Sequence, residues 1–89
     1  MKQLDVEITN KLGLHARAAA RFVHVASRFK SRVTVAKDDY RVDGKSILGL
    51  LTLAARRGCL LNLQAEGEDA DAVLAELAEL IRDGFGEVD

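Results

Sequence analysis

The chain has 89 residues, 48% of them apolar and 30% charged, a length that leaves room for one small core and no second domain. No apolar run approaches the roughly 20 residues of a membrane span, and the start Met1-Lys2-Gln3-Leu4-Asp5 lacks the apolar stretch of a secretory leader. The single Cys59 can neither close an internal disulfide nor complete a zinc site, so a reducing cytoplasm is the expected compartment. The net charge of −1 conceals an asymmetry: through Arg57 there are 12 Lys/Arg against 5 Asp/Glu, and beyond it 1 against 9.

Leu4, Val6 and Ile8 alternate with Lys2, Asp5 and Glu7, which predicts a strand with one buried face. Thr9 to Leu14, containing Asn10 and Gly13, reads as a loop. From Ala16 to Phe29, the residues Ala19, Phe22, Val23, Ala26 and Phe29 recur at three- and four-residue steps, the stripe of an amphipathic helix. Val33 and Val35 mark a second strand, Tyr40 and Val42 a third, and Asp38-Asp39 a tight hairpin between them. Asp43-Gly44-Lys45 turns the chain into a second helix, from Ser46 to about Ala54, ended by Arg56-Arg57-Gly58. Leu61, Leu63 and Ala65 alternate with Asn62, Gln64 and Glu66 in a fourth strand, and Cys59 is a small residue at its opening. Glu68 and Asp69 then lead into a last helix with Val73, Leu74, Leu77 and Ile81 on one face, acidic residues suiting the positive end of its dipole. The order β-α-β-β-α-β-α predicts one α+β domain over residues 1–89. An open-faced, mainly antiparallel four-stranded sheet with three helices on one face is the economical packing.

Gly13-Leu14-His15-Ala16-Arg17 falls where the loop enters the first helix. Gly13 allows a left-handed backbone there. His15 comes at or near the N-cap, beside amides that lack intrahelical partners and, with the dipole, form an anion site. A phosphoryl group on this ring would lie against the amides of Ala16 and Arg17, and the Arg17 guanidinium can hold a phosphate with two donors. A helix N-terminus disfavours a cationic ring, and neutral imidazole is the nucleophilic form. In isolation such a histidine is more often a solvated surface residue; its apolar flanks, Leu14 and Ala16, at a loop-to-helix junction argue for more. His24, further along the same helix, fits a surface or partner contact. Ser46 fits an N-cap, and a phosphate there would change the surface charge by about −2. In the second helix Leu50, Leu53 and Ala54 can face the core. That leaves Ile47, Leu48 and Leu51 displaced outward as a docking patch rimmed by Lys45, Arg17 and Arg21.

The stretch Asn10-Lys11-Leu12-Gly13-Leu14-His15-Ala16-Arg17-Ala18-Ala19 resembles the phosphohistidine signature of HPr, the small phosphocarrier family of the bacterial phosphoenolpyruvate-dependent phosphotransferase system. Gly44-Lys45-Ser46-Ile47-Leu48-Gly49-Leu50 is similar to the same family's regulatory-serine motif, and the resemblance covers essentially the whole chain. It implies that His15 accepts a phosphoryl group on Nδ1 from phospho-enzyme I and passes it to enzyme IIA domains, with Arg17 positioning the phosphate. It implies that Ser46 is phosphorylated by HPr kinase/phosphorylase where the organism has that enzyme. Ala20, Arg21, His24, Lys45, Ile47, Leu48 and Leu51, with Arg17, correspond to the family's partner-binding surface. The usual pattern has proline where this chain has Ala18, a change expected to loosen the helix start slightly and leave transfer intact.

Two other readings stand beside this one. A nitrogen-branch paralogue of the same family would feed a regulatory relay; the Gly84-Phe85-Gly86 tail is compatible with it, whereas the Ser46 segment leans toward the kinase-regulated type. A non-catalytic α/β module binding RNA or a small molecule would use the basic first part, but one tyrosine and three phenylalanines offer little for base stacking. No nucleic acid, membrane insertion, metal or cofactor is expected, nor an independent enzyme, because a phosphohistidine carrier needs no second base. A monomer is expected, its negative excess falling mostly on the fourth strand's end and the last helix, away from the site.

Overall fold

In the computed structural model, which describes residues 1–87, β1 (Lys2–Glu7), α1 (Ala16–Ala26), β2 (Arg32–Lys37) and β3 (Tyr40–Asp43) come first. They are followed by α2 (Ile47–Thr52), β4 (Leu60–Glu66), α3 (Ala70–Arg82) and a 3₁₀ turn over Gly84–Gly86. The strands form one sheet in the order β1-β4-β2-β3, with every neighbouring pair antiparallel. Strand β4 thus enters between β1 and β2. Register places Leu4, Leu63, Val35 and Val42 in one row across the sheet. Because side chains alternate along a strand, a row of this kind puts the apolar set on one face, where the helices cover it.

The core joins Val6, Val33, Val35, Leu61 and Leu63 of the sheet to Ala18, Ala19, Phe22 and Ala26 of α1, Leu50 of α2, and Val73, Leu77 and Ile81 of α3. Asp38, at positive φ, and Asp39 close the predicted hairpin between Lys37 and Tyr40; aspartate tolerates the left-handed region better than most residues.

Both early helices end sooner than their apolar periodicity predicts. Helix α1 stops at Ala26, because Arg28 and Phe29 donate to Val25 and Ala26 three residues back, tightening the chain out of the α-helix. Phe29 still packs against the core from that turn. Helix α2 stops at Thr52, and Ala54, at φ 49°, reverses the chain. The inward residues are consequently Leu50, Leu53 and Ala55; Ala54 is exposed. Asp69 stands at the N-cap of α3 but its carboxylate does not cap that helix. It turns instead to the loop after α1, accepting from the Lys30 and Ser31 amides at 2.9 Å each and from the Ser31 hydroxyl. Gly67 makes this closure possible: a Cβ there would lie 2.6 Å from Ser31 Oγ and 2.8 Å from its Cα.

Candidate functional site

The loop before α1 is built to present one side chain. Gly13 takes φ +67°, and a Cβ on it would stand 2.5 Å from the Ala55 carbonyl oxygen. Glycine is required there on both counts. Leu14 is buried and its amide donates to the same Ala55 oxygen at 2.9 Å, which ties the loop to the segment leaving α2. His15 follows as the N-cap of α1, extended at φ −79°, ψ 178°, with no side chain capping the helix. The amides of Ala16, Arg17 and Ala18 therefore point outward without intrahelical acceptors. Alanine at position 18 adds one N–H that proline would lack. Arg17 is exposed beside them and makes no ion pair among the described residues.

The imidazole is not free-standing. Its Nε2 hydrogen-bonds the Glu87 carboxylate, and the other carboxylate oxygen accepts from Asn10 Nδ2 at 2.8 Å. Asn10 is 2% exposed and its Nδ2 also donates to the Gly13 carbonyl at 2.8 Å. Both partners are acceptors, which fixes the amide orientation and leaves Asn10 Oδ1 buried without a donor. Asn10, His15 and the positive charge of Arg21 together hold the Glu87 carboxyl below the usual carboxylate range. Phe85, buried to 1%, anchors this tail in the core, and Arg21 donates to its carbonyl. Glu87, beyond the end of α3, thus brings one carboxylate of the acidic C-terminal part to the site. Sequence reasoning quoted Asn10 only as part of a motif and passed over Glu87, for which no local pattern gives a signal.

The remaining site residues divide between two helices. Arg17, Ala20, Arg21 and His24 line one exposed face of α1, as three- and four-residue spacing requires. Helix α2 packs against α1; on it Ile47 and Leu48 are exposed (Leu48 by 77%), while Leu51 packs half-buried against the core instead of standing outside. Leu12, 67% exposed in the His15 loop, adds an apolar residue that periodicity did not single out. Ser46 is the N-cap of α2, its Oγ accepting from the Gly49 amide at 3.0 Å. Lys45 is held, since its Nζ donates to the Phe29 carbonyl at 2.8 Å, beyond the C-terminal end of α1. The start of α2 thereby lies by the end of α1, and the exit of α2 by the start of α1. Ser46 and His15 stand at opposite ends of this antiparallel helix pair, and α1 alone is about 16 Å long. Cys59 is a free, half-buried residue packed against the core, and its backbone carbonyl accepts from the Ile8 amide.

An open-faced α+β sandwich with a histidine at a helix N-terminus, backed by open amides and an arginine, defines the class: a small domain with the chemistry to hold a phosphoryl group on an imidazole. A family model described as the PTS HPr component phosphorylation site matches residues 2–83. The phosphocarrier protein HPr of Neisseria meningitidis serogroup A is 49% identical over 87 residues, covering 98% of both chains. A crystal structure of HPr-C-His from Thermoanaerobacter tengcongensis superposes with a TM-score of 0.95 at 45% identity, over 100% of both chains. A crystal structure of an HPr dimer from the same organism matches with a TM-score of 0.78 at 46% identity, over 98% of this chain and 100% of that one. The chain belongs to the HPr family, the phosphoryl carriers of the phosphotransferase system. Among the described residues no helix is long and apolar enough to cross a membrane.

Proposed function

We propose that His15 is the phosphoryl-accepting residue, taking the group from phospho-enzyme I and handing it to enzyme IIA domains for sugar uptake. The observation that carries this reading is the N-cap position of His15, next to open first-turn amides and the exposed Arg17. A phosphoryl group there gains hydrogen bonds from Ala16 and Arg17 N–H, the helix dipole, and a guanidinium. The exposed basic face of α1 with Ile47 and Leu48 of α2 is the docking surface for acidic partners, Leu51 supporting it from below. Ser46 is the regulatory site for HPr kinase/phosphorylase. Modification there acts on His15 through the shared partner surface, given their separation along the helix pair. The carrier works as a monomer in this reading.

Incubation with phosphoenolpyruvate and enzyme I, followed by an acid-labile phosphoramidate assay, tests the proposal. The parent chain should label to one phosphoryl group and His15→Ala should not label. Equal labelling of His15→Ala would overturn the assignment, and an unlabelled parent would favour a binding module.

A further inference from the structure

The Glu87 carboxylate hydrogen-bonds Nε2 of the His15 ring, and nothing in the carrier reading uses it. A carboxylate held below its usual range is ionised at neutral pH and can only accept hydrogen bonds. The ring nitrogen facing it, Nε2, must therefore be the N–H. In a neutral imidazole the other nitrogen, Nδ1, then carries the lone pair. The carboxylate is itself fixed: Asn10 holds its second oxygen, Arg21 holds the Phe85 carbonyl, and the Glu87 amide donates to the Gly84 carbonyl at 3.1 Å. With side-chain exposures of 25% for His15 and 12% for Glu87, the pair is largely shielded from competing water.

We infer that Glu87 is a positioning residue for phosphoryl transfer, fixing the Nε2–H form and ring orientation of His15 so that Nδ1 faces the donor. The inference rests on His15 being the phosphoryl acceptor. In the transfer the Nδ1 lone pair forms the new N–P bond. The bond between phosphorus and the donor's group breaks, and its electron pair returns to that group. No proton moves. The His15 ring keeps its Nε2–H and becomes cationic, and the Glu87 carboxylate, on the side away from the phosphorus, offsets that charge as it develops. A buried carboxylate behind an imidazole acts in the same way in metal and triad sites.

The test compares the parent with Glu87→Gln and Glu87→Ala, with thermal melts confirming that each folds. Labelling by phosphoenolpyruvate and enzyme I should slow about tenfold or more in kcat, with KM for enzyme I held within about twofold, since Glu87 is set behind the ring and not on the docking helices. Proton NMR of the unphosphorylated parent should show a protected imidazole Nε2–H resonance, lost to solvent exchange in Glu87→Ala. Parent-like kcat in both variants overturns the inference, as does a parent ring without that protected proton. An unlabelled parent, by contrast, is a failure of the acceptor assignment itself, and the NMR result then still decides whether Glu87 holds the ring.

Discussion

Helix α1 is clasped at both ends by a carboxylate from the acidic C-terminal part of the chain, and the two clasps are made of different materials. After the helix, Asp69 takes two backbone amides and the hydroxyl of Ser31, a residue only 1% exposed. Before the helix, Glu87 takes the Asn10 amide group and the ring of His15. The two amides and the buried Ser31 hydroxyl keep their bonds to Asp69 throughout the neutral range, so this clasp closes the loops and takes no part in the proposed transfer. The Glu87 clasp includes the ring that would change state in the proposed transfer. The same chemical element, a fixed carboxylate, is structural where its donors are permanent and functional where a donor is reactive.

The largest effect is expected from Phe85→Ala, which removes the anchor of the Glu87 clasp and leaves the Asp69 clasp intact. Truncating a buried phenylalanine costs about 3–5 kcal/mol, a large share of the roughly 5–15 kcal/mol available to a small domain. Urea melts should show that loss, and the protected His15 ring proton should disappear in the remaining folded protein. If the ring proton survives, the tail is not what holds the ring.

Acid titration isolates the other clasp. The Ser31 hydroxyl first, then the Lys30 and Ser31 amides, lower the Asp69 carboxyl from 3.8 to about 2. The folded state thus favours the ionised form, and its stabilisation is fully present above pH 3.8 and is lost as pH falls toward 2. Asp69→Asn should melt several degrees lower than the parent at neutral pH, and the gap should narrow through that acid window. A constant gap down to pH 2 would remove the carboxylate's charge from the account. Ser46→Ala lies outside both clasps and serves as the reference. Loss of the N-cap bond to Gly49 should cost about 1 kcal/mol, with the His15 ring proton unchanged in the same spectra; a change there would mean that the helix pair couples the two sites.

Alternation in Leu4–Ile8 and Leu61–Glu66 and the Asp38-Asp39 turn are local patterns, and each yielded the element it predicts, while the stripe read from Ala16 to Phe29 yielded a helix that ends at Ala26. The ends of α1 and α2 were not legible, because periodicity continues through Phe29 and Ala54 while the hydrogen bonds do not. His15, Arg17 and Ser46 could be singled out by their place at helix starts. Glu87 could not, because its role depends on a contact 72 positions away in sequence.

The sequence by itself determined the elements, the face that the strands, α1 and α3 bury, and the histidine at a helix entrance, since all of these follow from spacing and local backbone preference. Tertiary structure alone decided that β4 enters between β1 and β2, that Asp69 and Glu87 close on opposite ends of α1, and that Ser46 stands far along the helix pair from His15. Those outcomes are set by how the apolar faces pack together, and packing joins residues whose spacing along the chain carries no periodic signal.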